Sequence, residues 1–180
     1  MAKQAKVLNS RVIYRGRAVE LRVDRVVEPG GVETTRELIC HPGSVVVIPH
    51  LPGDRLILVR QYRYAAQASM WELVAGGLEP GEIPSQAARR ELREEAGYRA
   101  RHVKRLVDFF PSPGILNEKM HLVEAWDLTP SQGQPDDDER IEAGIFAIED
   151  VLQMIRKKEI NDGKTLLGIL WVFGDRFIAS

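Results

Sequence analysis

Three glutamates in one short segment, Glu91, Glu94 and Glu95, have the spacing of a single helix face. At about 100° per residue, Glu91 and Glu95 lie about 40° apart, and Glu94 lies about 60° to the other side of Glu91. Like charges at this spacing repel each other, and the cost rises where water is partly excluded. A divalent cation would remove the penalty, and oxygen ligands without a thiolate favour Mg²⁺ or Mn²⁺ over zinc. Because Mg²⁺ is commonly held by one or two carboxylates and phosphate oxygens, the segment predicts a site for a phosphate-bearing substrate.

The alternative explanation is a charged helix face that is simply solvated, since runs of charge are usually exposed. The surrounding residues argue against this alternative. Gly76 is followed after five residues by Glu82, after seven more by Arg90-Glu91-Leu92, and then by Glu94-Glu95 and Gly97-Tyr98, each after one residue. At roughly 7% usage for each of seven fixed positions, a chance match at one start is on the order of one in a hundred million. This spacing resembles the Nudix box, from which it departs at Tyr98, where the family usually has an aliphatic residue.

The resemblance implies a fold and a set of roles. The expected fold is α/β, a Nudix-like α/β/α sandwich with a mixed sheet, preceded by a small N-terminal antiparallel β-sheet region. Metal ligands would be the carboxylates of Glu91 and Glu95, the carbonyl of Ala75, and Glu94 as a further ligand or acid-base group. The resemblance gives structural roles in the motif to four residues: Gly76, Glu82, Arg90 and Gly97.

Residues outside the box resemble the ADP-ribose pyrophosphatase branch of the Nudix family. The branch carries a proline about sixteen residues beyond the last box glycine, and Pro113 stands at that distance from Gly97, within a Ser-Pro-Gly segment followed by Glu118. The branch implies that Glu118 binds the terminal ribose and that arginines contact the diphosphate or adenosine. The substrate-binding residues expected from it are Arg36, Arg63, Gly77, Ser112, Pro113, Gly114 and Glu118.

The reaction implied by the branch is attack of water on one phosphorus of ADP-ribose, giving AMP and ribose 5-phosphate, with two or more Mg²⁺ ions (or Mn²⁺) per site. Two alternatives remain open: another nucleoside diphosphate sugar such as GDP-mannose, and a non-catalytic nucleotide-binding module. The general base is also open. It is either Glu94 on the helix or an acidic loop residue, Glu139 or Asp137, and Glu139 is in addition a candidate metal ligand. That acidic loop could equally be no more than a solvated turn.

The elements that must position these residues follow from periodicity. Alternating residues predict short antiparallel strands before residue 42, with a hairpin turn at Pro29-Gly30-Gly31. We expect residues 1–42 to form a β-rich dimerisation region of a homodimer, because so small a sheet can hardly bury a core unaided. Residues 43–180 are expected to form the Nudix domain. Its predicted strands are 45–48, 56–59, 71–74, 105–110, 119–125 and 145–148, and its predicted helices are 85–96, 149–158 and 164–177.

The composition and charge of the chain limit the kinds of molecule that it is expected to bind. The chain has 180 residues, 44% hydrophobic and 28% charged, which suits one well-buried core with a small appendage. A formal net charge of −1 excludes a global positive field, so neither nucleic acid nor a membrane is an expected partner. Cys40 is the only cysteine, and the N-terminus lacks the pattern of a signal peptide. We therefore expect a cytoplasmic protein that binds a small nucleoside diphosphate sugar.

Overall fold

The computed structural model of the chain describes residues 4–133 and 140–179. Contacts between residues divide the chain into two compact units. Of the described residues, the first unit contains 4–43 and 110–119, and the second contains 44–109, 120–133 and 140–179. The domain boundary that the sequence predicts after residue 42 remains a prediction.

The first unit is a three-stranded antiparallel sheet in the order β1-β2-β3. A turn at Pro29-Gly30-Gly31 joins the last two strands, and the amide of Glu28 donates to the carbonyl of Val32 across it (2.8 Å). The 110–119 segment attaches to the end of the third strand, because the Ile39 amide donates to the Ile115 carbonyl at 2.8 Å. The strands are β1 Lys6–Arg15, β2 Glu20–Val27 and β3 Glu33–Cys40.

The second unit is built on a larger mixed sheet, in which the described residues form seven strands. Five of them follow the order β10-β5-β4-β9-β8, β6 pairs with β5, and β7 pairs with β4. The pairing of β4 with β9 is parallel and the other pairings are antiparallel. The strands are β4 Ser44–Leu51, β5 Arg55–Arg63, β6 Ala68–Glu72, β7 Val74–Gly77, β8 Tyr98–Phe109, β9 Met120–Pro130 and β10 Glu142–Ala147.

Helices cover both faces of this sheet. Because side chains alternate along a strand, β4 sends Val45 and Val47 to one face and Val46 and Ile48 to the other. The first pair packs with α1 and the second with α2 and α3. The α/β/α sandwich with a mixed sheet is therefore confirmed. The helices are α1 Pro84–Ala96, α2 Ile148–Arg156 and α3 Gly163–Ala179.

Several element boundaries differ from the sequence-based prediction. Strand β8 begins at Tyr98, whereas the apolar pattern predicts a start at residue 105. This strand lies at the edge of the sheet, where exposed polar side chains are tolerated, so hydrophobicity marks only its second half. The predicted 145–148 strand is shifted to β10, because Ile148 begins α2. Helix α2 ends two residues early, and Lys158 then adopts a left-handed φ of 63°.

No helix in the described ranges is long and apolar enough to cross a membrane.

Gly168 in α3 is a point of close packing between helix and sheet. A Cβ there would lie 2.7 Å from Leu73 Cδ1 and 3.1 Å from Leu122 Cδ1, and both leucines are fully buried. We expect Gly168→Ala to lower the free energy of unfolding, because overpacking costs about 1–3 kcal/mol and exceeds the helix-propensity gain of about 1 kcal/mol. Gly174→Ala in the same helix is the control, since nothing lies within 4 Å of its Cβ. Urea unfolding of both variants measures the difference, and equal stabilities would contradict this packing.

Candidate active site

Helix α1 carries the three glutamates and has well-defined ends. Pro84 stands at the start, where its fixed φ suits a first helical residue and its missing N–H costs nothing. The Gln86 Oε1 accepts a hydrogen bond from the Ile83 amide at 3.2 Å. At the other end Gly97 adopts a left-handed φ of 70°, and its amide donates to the Arg93 carbonyl at 3.1 Å. The helix is thus fixed at both ends, which fixes the direction of its carboxylates.

The Glu91 side chain lies against the backbone of β7. A Cβ built on Gly76 would overlap the Glu91 carboxylate, so only glycine leaves room for it. Glu91 is 8% exposed, and the Arg90 Nη1 donates to its Oε1 at 2.6 Å. The first box glycine therefore provides the space in which this carboxylate is held.

Glu95 occupies the neighbouring position one helical turn later. It is also 8% exposed, and its Oε2 accepts a hydrogen bond from the Ala75 amide at 3.1 Å. Two nearly buried carboxylates therefore meet consecutive residues of one strand, Ala75 and Gly76. The helix spacing predicts only that these carboxylates share one face, and their contacts with β7 are an addition from the structure.

Arg90 connects the loop before α1 to the carboxylates. Its Nε and Nη2 donate to the two Glu82 oxygens at 3.0 and 2.8 Å, and its Nη2 also donates to the Gly77 carbonyl at 2.9 Å. The paired guanidinium lowers the pKa of the Glu82 carboxyl below its ordinary value. The hydrogen bonds that Arg90 donates to Glu82, followed by the charge of Glu91, in turn raise the pKa of Arg90. The loop and the helix are thereby held in one geometry.

Glu94 differs from the other two glutamates. Its side chain is 25% exposed and receives two guanidinium groups, from Arg90 Nη1 at 3.2 Å and from Arg93 Nη2 at 2.8 Å. In the described residues, no three acidic, histidine or cysteine side chains already form a metal-binding group. The donor set is instead the pair of nearly buried carboxylates of Glu91 and Glu95. That set fits a hard divalent cation which completes its coordination with water and substrate phosphate.

A second charged network lies near this site. Glu72 is completely buried, and it accepts two hydrogen bonds from Arg63 (2.8 and 2.7 Å) and one from Lys164 Nζ (2.5 Å). The pKa of Arg63 is raised, mainly by the hydrogen bond to Glu72 and partly by the charges of Glu72, Glu95 and Asp162. The Glu95 contribution places the Arg63 guanidinium within electrostatic reach of the box carboxylates.

Sequence reasoning missed Glu72 and Lys164 as members of this network. The available signal was a charged residue between Trp71 and Leu73 in a strand otherwise suited to the core. A buried charge requires a partner, but local pattern does not identify that partner when it stands 92 residues away.

The remaining predicted substrate residues belong to the first unit. Arg36 and Gly114 line one cavity of about 440 Å³ there, and Arg36 also pairs with Glu28 at 2.7 Å. The Ser112 carbonyl accepts hydrogen bonds from the amides of Ile115 and Leu116, in the turn that follows Pro113. Glu118 Oε1 lies 3.4 Å from His41 Nδ1. The acidic loop candidates, Asp137 and Glu139, lie outside the described residues.

Comparisons with known proteins identify the family and support the fold of the chain. Residues 41–167 match the family model for the NUDIX domain. A methanol dehydrogenase activator of Bacillus methanolicus is 36% identical over 171 residues, covering 94% of this chain and 92% of the relative. An ADP-ribose pyrophosphatase of Bacillus subtilis (strain 168) is 33% identical with the same coverage. A solved structure described as an ADP compounds hydrolase superposes with a TM-score of 0.81 at 24% identity over 97% of each chain, which supports the fold.

The fold and the glutamate helix define a diphosphate-cleaving hydrolase of the type that depends on a divalent metal. The chain belongs to the Nudix family, and it is a Nudix hydrolase.

Gly76→Ala tests the contact on which the site geometry depends. The added methyl group would displace the Glu91 carboxylate, so we expect Mn²⁺ binding to weaken roughly tenfold or more, as when groups that orient metal ligands are changed. Gly174→Ala is the control and should bind Mn²⁺ like the unaltered protein. Electron paramagnetic resonance of free Mn²⁺ measures both. Unchanged affinity in a folded Gly76→Ala protein would contradict the proposed position of the metal.

Proposed function

We propose that this protein hydrolyses the diphosphate bond of ADP-ribose to AMP and ribose 5-phosphate. The observation that carries the proposal is the pair of nearly buried carboxylates, Glu91 and Glu95, held against the Ala75-Gly76 backbone. Relatives named ADP-ribose pyrophosphatase that align over more than 90% of this chain support the choice of substrate. In the reaction, the oxygen of water forms a bond to one phosphorus, and the bond from that phosphorus to the bridging oxygen breaks.

We assign Mg²⁺ as the metal, with Mn²⁺ as a substitute and two or more ions per site. Glu91, Glu95 and the Ala75 carbonyl would hold it, with Glu94 as a further ligand. When bound, the ions lower the pKa of a water molecule and neutralise charge on the phosphates. Carboxylate and carbonyl oxygens are the donors that such hard cations prefer, and the described site offers no thiolate.

Arg63 is the substrate contact that the second unit supports best. Its Nε and Nη2 donate to Glu72, which fixes the plane of the guanidinium and leaves Nη1 directed away from that pair. A guanidinium held in one orientation is suited to phosphate oxygens, because little side-chain freedom is lost on binding. We further propose that Arg36, Gly77, Ser112, Pro113, Gly114 and Glu118 contact the substrate. The cavity shared by Arg36 and Gly114 supports two of these assignments.

The general base has candidates of two kinds. Glu94 on α1 is held by Arg90 and Arg93, so to act as a base it would have to give up at least one of these contacts. A loop carboxylate, Glu139 or Asp137, is the other candidate, and Glu139 is also a proposed metal contact. A base on a loop could approach the water after substrate binds, and it would stay ionised beside several cations.

Glu91→Gln and Glu95→Gln test the catalytic role of the carboxylates. Each change keeps the side-chain shape and removes the charge, so we expect kcat to fall at least about a hundredfold with little change in stability. Glu79→Gln is the matched control, because this glutamate lies in the same box loop and is 67% exposed. The measurement is release of AMP and ribose 5-phosphate from ADP-ribose, with GDP-mannose as a parallel substrate. Faster hydrolysis of GDP-mannose than of ADP-ribose would contradict the proposed substrate. Undiminished rates in both variants would contradict the assignment of these glutamates as metal ligands.

We also propose a cytoplasmic homodimer formed through the first unit. Every residue of β1 is exposed, including the apolar Val7, Leu8, Val12, Ile13 and Tyr14. Long exposed edge strands with apolar side chains favour pairing with another chain. Cys40, the one cysteine in the sequence, is unpaired, which suits a reducing compartment.

The dimer proposal predicts that sedimentation equilibrium of the full chain gives twice the chain mass. Val12→Asp with Ile13→Asp is expected to shift the equilibrium to the monomer, because each change places a charge on the exposed apolar strand. Arg17→Gln, outside the strand, is the control. A monomer in the unaltered protein would refute the proposal.

A further inference from the structure

A cavity on the outer side of α1 is lined mainly by arginine side chains. It has a volume of about 370 Å³, which lies in the lower part of the range of small-molecule sites. It belongs entirely to the second unit, between α1 and the start of β8. Its lining residues are Gln86, Arg89, Arg90, Arg93, Arg99 and Ala100. None of these residues is acidic, although α1 is rich in glutamate on its other side.

The positive charges in this cavity are only partly compensated. Arg90 and Arg93 pair with glutamates of the box. Arg89 instead donates to the Ser85 carbonyl at 3.1 Å and to the Arg101 carbonyl at 3.4 Å, and carbonyl groups do not cancel a full charge. Arg99 is exposed and forms no ion pair with a residue that the structure describes. The cavity lining therefore includes two arginines, Arg89 and Arg99, for which the described residues provide no carboxylate partner.

The arrangement carries an electrostatic cost in the absence of a ligand. Arg89 and Arg93 stand at i and i+4 on the same helix, a spacing at which like charges repel each other. Arg99 adds a further positive charge from the neighbouring strand. A guanidinium is planar, remains charged at any physiological pH, and offers parallel N–H groups that match two oxygens of a phosphate. A phosphate dianion would therefore reduce the repulsion and accept hydrogen bonds from these guanidinium groups.

We propose that this arginine-lined cavity binds a phosphate-bearing anion, either inorganic phosphate or a nucleoside monophosphate, separately from the carboxylate face of α1. The volume accommodates a phosphate group with a small organic moiety and is small for a nucleoside diphosphate sugar. The proposal does not depend on which diphosphate compound the enzyme hydrolyses, because it concerns binding on the opposite side of the helix.

The site is connected to the carboxylate face through Arg93. Its Nη2 donates to Glu94 Oε1 at 2.8 Å, while the same residue lines the cavity. An anion in the cavity competes with Glu94 for this guanidinium. Binding of the anion therefore makes Glu94 more available to a cation, and by thermodynamic linkage a cation at Glu94 favours the anion equally. This second part rests on the proposed metal role of Glu94.

Isothermal titration calorimetry of the full chain tests binding, with inorganic phosphate and AMP as separate probes and EDTA present so that no metal site contributes. We expect saturable binding that weakens with added salt. In the Arg89→Gln, Arg99→Gln double variant the affinity should fall at least about tenfold, since bonds to charged groups are lost. Arg101→Gln is the matched control, because this exposed arginine lies outside the cavity and pairs with Asp127. It should bind within about twofold of the unaltered protein.

The outcomes separate the possibilities. Phosphate binding that depends on Arg89 and Arg99 shows that the phosphoryl group suffices, and dependence seen with AMP alone assigns a nucleoside monophosphate. Absence of binding by both probes overturns the proposal. So does binding that the double variant leaves unchanged, since the anion would then occupy another site. If the protein did not hydrolyse ADP-ribose, the proposed function would fail, but the interpretation of these binding results would stay the same.

The coupling to Glu94 has its own measurement. The measured quantity is the factor by which saturating phosphate lowers the Kd for Mn²⁺. We expect this factor to be about fivefold larger in the unaltered protein than in Arg93→Gln, which is at the lower end of the coupling found between linked sites. Direct coordination of Mn²⁺ by phosphate would act equally in both proteins. The same factor in both would refute the coupling. Glu94→Gln, if its Mn²⁺ affinity equals that of the unaltered protein, would instead refute the metal role of Glu94.

Discussion

The contact between the Glu91 carboxylate and the Gly76 backbone is the constraint on which the site depends. It requires a residue without a side chain in β7, a helix fixed at both ends, and a sheet in which β7 pairs with β4. Glu95 then meets the Ala75 amide because it lies one turn further along the same helix. A single close approach therefore sets the positions of both carboxylates. The apolar stripe of α1, buried with the β4 side chains, keeps the helix at this distance.

Arg90 makes this arrangement possible before any cation is bound. One guanidinium contacts Glu82, Glu91 and Glu94 and also the Gly77 carbonyl, so it balances charge and fixes the loop at the same time. A nearly buried carboxylate without such a partner would carry a large desolvation cost. The same helix presents further arginines on its outer side, where glutamates are absent from the cavity wall. Helix α1 therefore holds the Glu91 and Glu95 carboxylates against β7, while Arg89 and Arg93 line a cavity on its outer side.

The box could be predicted from the sequence because its geometry is local. Fixed spacings along one loop and one helix determine which side chains share a face, and the predicted helix of 85–96 differs from α1 by one residue. The sheet order and the network around Glu72 could not be predicted in the same way. Lys164 approaches Glu72 only after α3 has packed on the sheet, and hydrophobic periodicity carries no information about such distant partners.

The 110–119 segment illustrates the same limit in a loop. Its Ser-Pro-Gly residues indicate a turn and, through the family resemblance, a substrate contact. Its pairing with Ile39 of β3 depends on backbone hydrogen bonds that any residue type can form. Hydrophobicity likewise does not identify the exposed residues of β8 before 105 as part of a strand, because an edge strand does not need an apolar face along its whole length. The sequence therefore predicts side-chain chemistry better than it predicts long-range backbone pairing.

We propose one position for the catalytic cation, held by Glu91 and Glu95 against the Ala75-Gly76 backbone. Anomalous diffraction from crystals of the full chain grown with Mn²⁺ tests it most directly, because the signal locates the ion without reference to activity. We expect an anomalous peak within about 2.1 Å of a carboxylate oxygen of each glutamate. Peaks confined to other acidic residues, with both carboxylates retaining the contacts described above, would contradict it.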